Sequence, residues 1–303
     1  MQVDQDIASP AAVLAASHAY CHRQTRTHAR SFYFASIALP AEKKRAAFAV
    51  YAFCRYADDL IDRAGSPEEA RVSAERVGVE FDRLVSGMAS HPPFAPAFAW
   101  AVRRYGIEKA YFLDLLAGVG GDAGRVRIAD WLQLREYCYQ VASVVGLMMA
   151  RIFELKDTAA QERAIELGLA MQLTNIVRDV GEDYRLDRIY LPAEEMRAYD
   201  VADVDLDTGE VGAPTRSLLS MQIDRAREYY RNAEAGIPYL ADDGSQLTVW
   251  LMRHVYAGIL DEVERIDYQV LRRRATVSFA RKCRLAVRAW RDYRRTRPAR
   301  RLR

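Results

Sequence analysis

Long runs of this chain place apolar residues at helical spacing, while alternating β-branched runs bounded by turn signals are scarce. That pattern restricts the fold to an all-α architecture. The stretches that interrupt it, ASHPPFAP at 89–96 and YDVADVDLDTGEVGAPTRS at 199–217, are short enough to be loops between helices. The 303 residues are therefore read as one domain, although length alone would suggest about two. Within it, residues 1–20 are read as an N-terminal extension, 21–285 as the helical domain and 286–303 as a basic C-terminal tail.

The longest uncharged apolar stretches, 46–54 and 141–150, fall far below the roughly 20 residues that span a bilayer. The N-terminus begins acidic and lacks the basic and apolar regions of a secretory signal, so a cytoplasmic location is expected. Cys21, Cys54, Cys138 and Cys283 form no CxxC pair, which argues against a zinc site or disulfide framework and favours buried free thiols. The net charge of +3 hides an asymmetry: residues 272–303 carry 14 Lys and Arg against one acid, whereas residues 1–271 carry 30 basic and 40 acidic groups. RKCRLAVRAWRDYRR reads as a basic helix with a few apolar residues, which suits a membrane surface or solvent better than nucleic-acid reading.

Charge also gathers where the core pattern predicts burial. The apolar run AIELGLAMQL leads into NIVRDVGEDYRLDRIYLP, and if the helix continues, Asn175, Asp179 and Asp183 share one stripe at i, i+4 and i+8. Upstream, FAVYAFCRYADDLIDRAG places Tyr51, Arg55, Asp58 and Asp62 on another stripe, on a helix whose preceding residues are almost wholly apolar. One acidic i, i+4 pair is commonplace on a salt-bridged surface helix. Two pairs, each beside an Arg and each joined to a core-like run, point to carboxylates facing one another across a helix bundle. Hard oxygen ligands without His or Cys select Mg²⁺, completed by water and substrate phosphate. Arg55 and Arg178 would then meet the remaining phosphate charge, so the implied ligand is a diphosphate. Phe32, Tyr33, Phe34, Tyr51, Phe53 and Tyr137 suit an apolar cavity for an isoprenoid chain, although each aromatic alone is most simply core packing.

HARSFYFASIALPAEKKRAAFAVYAFCRYADDLID, YCYQVASVVGLMM and LAMQLTNIVRDVGEDYRLDRIYLP resemble the phytoene and squalene synthase family, on its phytoene-forming side, and the likeness runs from about residue 20 to 280. The resemblance implies an isoprenoid-synthase-type helical bundle around a central apolar cavity. It places the two DxxxD motifs on Asp58 and Asp62 and on Asp179 and Asp183, with Asn175 and Gln172 one and two turns before the second. Asp58, Asp62, Asn175, Asp179 and Asp183 are the implied ligands of Mg²⁺, for which Mn²⁺ could substitute. Arg55 and Arg178 are implied to contact diphosphate. His28, Ser31, Tyr51 and Tyr137 match positions lining the diphosphate end and cavity, and Tyr256 and Arg273 match a Tyr and an Arg that reach phosphate. Asp59 and Glu182 are turned off the ligand stripe.

The implied activity is a prenyltransferase reaction: head-to-head condensation of two geranylgeranyl diphosphates, through a cyclopropyl diphosphate, to phytoene in carotenoid biosynthesis, without NADPH. Dehydrosqualene or squalene formation from farnesyl diphosphate is the alternative. A trans-prenyl elongase fits less well, since its motifs are usually DDxxD, and a non-catalytic assembly subunit would leave the stripes salt-bridged and show no Mg²⁺-dependent turnover. The expected partners are the prenyl diphosphate substrate, the inner face of the membrane as a peripheral surface and other carotenoid-pathway enzymes, with no nucleic acid. GVGGDAGRVRI at 118–128 departs from the family pattern but keeps Asp122, and it lacks the Lys-Ser or Lys-Thr of a nucleotide phosphate loop.

Overall fold

The computed structural model describes residues 9–63, 66–86, 92–121 and 124–296. Asp122 lies outside the described residues, and so does the side chain of Asp62. The helical reading holds along the chain. The first half comprises α1 (Pro10–His28), α2 (Arg30–Ala35), α3 (Ala41–Asp62), α4 (Pro67–Ser86), α5 (Ala95–Tyr105) and α6 (Lys109–Gly120). The second comprises α7 (Trp131–Cys138), α8 (Val144–Ile152), α9 (Gln161–Tyr184), α10 (Ala193–Ala198), α11 (Ala213–Glu234), α12 (Ser245–Arg265) and α13 (Phe279–Thr296). Two short strands, β1 (Val126–Arg127) and β2 (Arg188–Ile189), pair in parallel with Val126 opposite Arg188.

Two apolar cores divide the bundle. In one, Phe53 of α3 stacks on Phe98 of α5 at 4.4 Å between ring centroids, with Phe81, Phe94 and Phe112 packed edge-on or tilted around them. Offset and edge-to-face contacts of this kind each add to simple area burial. In the other, Leu169, Leu173 and Val177 of α9 meet Leu218 and Ile223 of α11 and Leu260 and Val263 of α12. Leu167 and Met171 of α9 touch both cores. Helix α9 thus separates the two, with one face committed to α11 and another free to line the space between.

Two local devices shape that space. Between α7 and α8 the backbone widens into a π-helical turn at Tyr139–Ser143, which shifts Val141 and Ala142 toward the space. There α9 approaches closely: a Cβ on Gly168 would lie 2.4 Å from the Ser143 Cα, and Ser143 Oγ donates to the Ile165 carbonyl at 2.8 Å.

The divisions expected at residues 20 and 285 do not coincide with structural breaks. Helix α1 already begins at Pro10 and packs on α3 and α5, and the Ala97 amide donates to the buried Ser17 hydroxyl at 3.0 Å. Helix α13 runs through 285/286 to Thr296, burying Leu285, Ala289 and Tyr293 against the fold. The Tyr293 hydroxyl donates to Asp242 at 2.7 Å, and His254 of α12 meets Asp292 at 2.8 Å. Length and charge mark composition, whereas the unit's edges are set by which face of each terminal helix is apolar. Cys21, Cys54 and Cys138 are buried free thiols, while Cys283 is exposed because it lies off the packed face of α13.

Candidate active site

Between Ala46 and Cys54 helix α3 is apolar on nearly all sides, and its charged residues resume toward its C-terminal end. There Arg55 and Asp58 enter a polar cavity together with Tyr137 of α7 and Gln172, Asn175, Asp179 and Asp183 of α9. The two stripes read from the sequence do face one another. Asp62 is the last residue of α3, one turn beyond Asp58.

Arginines dominate the electrostatics. Arg178 and Asp179 are both nearly buried and form a two-pronged pair, Arg178 Nε donating to Asp179 Oδ1 at 2.7 Å and a second nitrogen to Oδ2. Burial alone would lower the guanidinium's pKa, but its hydrogen bonds and the Asp179 charge outweigh this and raise it, so Arg178 remains a cation. Arg274 reaches the same carboxylate, its Nε 2.9 Å from Asp179 Oδ1, and lies 3.6 Å from Glu182. Arg55 pairs with Asp59 at 2.6 Å, which gives Asp59, off the ligand stripe, an orienting task. Arg55 Nε is buried without a hydrogen-bond partner, a polar atom left for a ligand to satisfy.

Tyr137 lines the polar cavity and Tyr256 the tunnel, whereas Tyr51, half-buried on α3, lines neither. Burial pushes the Tyr51 hydroxyl up to about 12, with Arg55 opposing and Tyr256 and Asp58 reinforcing the shift. Burial also raises Tyr256, with Arg178 opposing. Both phenols are therefore neutral near pH 7. Tyr137 stacks on Tyr190 at 4.9 Å.

Beyond these groups the space turns apolar. Val141, Val145, Gln172 and Asn175 line both the polar cavity and an apolar tunnel that continues along α9 past Met171, Gly168 and Ala164 to Ala160, with Tyr256 in its wall. Asn175 Nδ2 donates to Gln172 Oε1 at 3.2 Å, so the hinge between polar and apolar parts is itself hydrogen-bonded.

Not every expected residue arrives. His28 ends α1 exposed, Ser31 is half-buried in α2, and neither lines the polar cavity or the tunnel. Arg273 is exposed, and the residue on Asp179 is Arg274 instead. Two residues not singled out beforehand, Arg188 and Tyr190, line the polar cavity. Strand pairing places them: Arg127 of β1 holds Asp187 at 2.7 Å and Asp203 at 3.1 Å, fixing the segment that presents both. Their signal was present in DRIYLP, where an Arg and a Tyr at i and i+2 share one side of an extended segment.

Among the described residues no group of three or more His, Cys, Asp and Glu converges as a ready-made metal cage. The donors are carboxylates and an amide from two helices across a cavity, with a strong cationic complement. This fits a divalent cation that takes few protein oxygens and completes its shell with water and phosphate.

These features coincide with what is found in related proteins. The family model for squalene/phytoene synthase matches residues 25–281. The chain is 35% identical over 299 residues to a 15-cis-phytoene synthase of Synechocystis sp., covering 93% of this chain and 87% of that protein. It is 39% identical over 253 residues to a phytoene synthase of Thermus thermophilus, covering 84% and 85%. Among solved structures, a dehydrosqualene synthase in complex with ligand superposes with a TM-score of 0.87 at 30% identity, over 95% of this chain and all of that one. Squalene synthase HpnC of Alicyclobacillus acidocaldarius superposes with a TM-score of 0.75 at 25% identity, over 84% and 95%. Carboxylate stripes on two facing helices, an arginine-rich polar cavity and an apolar tunnel, on a helical bundle that superposes nearly end to end on such enzymes, have one common explanation: the chain belongs to the squalene/phytoene synthase family.

Proposed function

We propose that the chain is a phytoene synthase, a prenyltransferase that condenses two geranylgeranyl diphosphates head to head. The observation that carries this reading is the continuity of the arginine-lined polar cavity with an apolar tunnel of suitable length. From Asn175 to Ala160 the tunnel follows fifteen residues of chain, about 22 Å at helical rise. With sixteen carbons in its main chain and bonds of about 1.5 Å, an extended geranylgeranyl chain needs roughly 20 Å, and a farnesyl chain roughly 15 Å.

Arg55, Arg178, Arg188 and Arg274 bind the diphosphates and offset the charge that grows as the first C1–O bond breaks. Mg²⁺, held by Asp58, Asp62, Asn175, Asp179 and Asp183, supplies Lewis-acid stabilisation of the phosphate oxygens when bound, and Mn²⁺ could replace it. The remaining allylic cation lies against Tyr137 and Tyr256, which line the cavity and the tunnel and whose ring faces stabilise positive charge. Burial keeps the Tyr51 and Tyr256 hydroxyls protonated near neutral pH, and Tyr256 contributes to the tunnel wall. The double bond of the second substrate attacks C1, giving a cyclopropyl intermediate that keeps its own diphosphate. Loss of that diphosphate, ring rearrangement and loss of a proton yield the conjugated triene. No reductant is consumed, so NADPH is not needed. The apolar lining excludes water that would quench either cation.

Dehydrosqualene formation from farnesyl diphosphate is the second reading, favoured by the high-scoring structural neighbour with that activity. It would leave the Ala160 end of the tunnel unfilled. Among the described residues no helix is long and apolar enough to cross a membrane, and the basic α13 with its exposed Trp290 supports peripheral attachment at the inner face of the membrane. There the lipid-soluble product would pass to the next carotenoid-pathway enzyme. The deciding experiment supplies geranylgeranyl diphosphate and Mg²⁺ without nicotinamide and identifies the product by mass. Phytoene with release of diphosphate is expected. Strong preference for farnesyl diphosphate overturns the chain-length reading, and squalene formed only with NADPH overturns product and cofactor together.

A further inference from the structure

The tunnel's far end shares a wall with a second cavity. This chamber of about 100 Å³ lies between α5, α6, α8 and the turn that leads into α9, and Tyr105, Tyr111, Arg151, Thr158 and Gln161 are among the residues that line it. Ala150 and Leu155 line both the chamber and the tunnel, so the wall between them is one side chain thick. The turn into α9 is divided in the same way: Ala160 lines the tunnel, whereas Thr158 and Gln161 line the chamber. The wall therefore stands at the end of the tunnel farthest from Asn175.

Leu155 is anchored on both sides. Glu154 before it takes the left-handed region at φ 55°, which turns the chain back after α8, and the Leu155 amide donates to the Ala150 carbonyl at 3.0 Å, tying the two residues of the wall together. The Ala241 amide donates to the Phe153 carbonyl at 3.0 Å, and the Lys156 amide to the Tyr239 carbonyl at 2.9 Å. Truncating the Leu155 side chain thus leaves the backbone of the wall in place. The chamber's two charged residues are already engaged, Arg151 Nε donating to the Gly106 carbonyl at 3.3 Å and Glu154 lying 3.4 Å from Lys43.

A geranylfarnesyl chain, one isoprene unit longer than geranylgeranyl, needs roughly 25 Å, about 3 Å more than the tunnel offers. An apolar cavity of about 150 Å³ takes up benzene, a molecule of six carbons. The chamber, enlarged by what a shorter side chain at Leu155 vacates, is of the size that one five-carbon unit requires. We propose that Leu155 is the stop that sets the prenyl chain length: it seals the tunnel from the chamber, and its truncation joins the two so that a C25 chain fits. The stop rests on the phytoene synthase reading and names what limits its substrate. The bonds made and broken are those of the C40 reaction, with two diphosphates and one proton leaving as two C25 units join.

The test compares wild type with Leu155→Ala on geranylgeranyl and geranylfarnesyl diphosphates, with products separated by mass and melting temperature as the measure of folding. Leu155→Ala should raise the C25-to-C20 ratio of kcat/KM at least about tenfold while phytoene is still made. Adding Gln161→Phe fills the chamber from its other side and should return the ratio to within about threefold of wild type, whereas Gln161→Phe alone should leave phytoene synthesis within about twofold. Leu155→Val, a smaller truncation, repeats the comparison where the Ala variant fails to fold, with a gain of about threefold or more. A folded Leu155→Ala with an unchanged ratio would overturn the stop. Equal loss of both activities would do the same, making Leu155 a support of the turn, and so would prenyl alcohols, formed when water entering from the chamber captures the cation. Calorimetric binding of unreactive thiolodiphosphates of the two chains separates the stop from the functional reading. Without phytoene from wild type that reading fails, yet a C25 analogue that binds Leu155→Ala at least about tenfold more tightly than wild type upholds the stop, and equal binding overturns it.

Discussion

Asp179 carries more of the site's electrostatics than its place in a motif discloses. It is nearly buried, receives both Arg178 and Arg274, and faces Asp58 across the polar cavity. Asp179→Asn and Asp58→Asn should each lower turnover at saturating Mg²⁺ by about 10²-fold or more, with helical circular dichroism unchanged. Asp59→Asn, which only loosens Arg55, should cost roughly tenfold or less. Chelation by EDTA should abolish turnover and Mg²⁺ should restore it; full activity in EDTA would refute the metal requirement. Arg274→Ala should raise KM for the prenyl diphosphate at least several-fold, while Arg273→Ala stays near wild type. The stripe residues were legible because a helix fixes their phase. Arg274 was not, because Arg272, Arg273 and Arg274 follow one another in a non-helical segment where no periodicity selects one of three identical side chains.

Helix α9 and the segment after α12 form the unit that presents this arginine. They approach so closely that a Cβ on Gly181 would lie 2.3 Å from the Leu271 carbonyl oxygen and 2.6 Å from its Cα, and Arg185 donates to the same carbonyl at 3.3 Å. The obstacle is backbone, which cannot rotate away as a side chain would. Gly181→Ala should therefore push the 271–274 segment off α9, destabilise the fold by about 1–3 kcal/mol in urea melts and weaken substrate binding through Arg274. A variant with wild-type stability and KM would show that the two elements part at no cost. At this scale the helices themselves were legible from apolar spacing. The π-helical turn at Tyr139–Ser143 and the β1–β2 pair were not: the first is a one-residue change of hydrogen-bond register, and the second depends on partners 62 residues apart.

The molecule as a whole is two apolar cores held apart by a tunnel, and this arrangement sets what the tunnel can hold. Of the six aromatics that the sequence offered for an apolar cavity only Tyr137 lines the polar cavity or the tunnel, while Phe32 and Phe53 pack in a core; which residues pack and which stay open depends on how α8, α9 and α12 pack, and that lies beyond periodicity. The far end is lined by small residues, Ala150, Ala160, Ala164, Ala233 and Gly236. Ala164 precedes Asn175 by eleven residues of α9, about 16 Å, close to the roughly 15 Å of a farnesyl chain and short of a geranylgeranyl chain. A Phe at this position should close the tunnel at the shorter length. Ala164→Phe should lower phytoene formation from geranylgeranyl diphosphate at least tenfold while C30 product from farnesyl diphosphate is retained, because an apolar tunnel rejects a longer chain by steric exclusion far more strongly than a shorter one by lost contact. The check is competition between the two substrates with products separated by mass. A fall in both products together would mean that the added ring disturbs α9 rather than the tunnel's end, and Ala160→Leu, in the short turn before α9, then repeats the test at the tunnel's limit with less overpacking. Unchanged C40 synthesis by both variants would place the end of the chain elsewhere, and with it the determinant of product length.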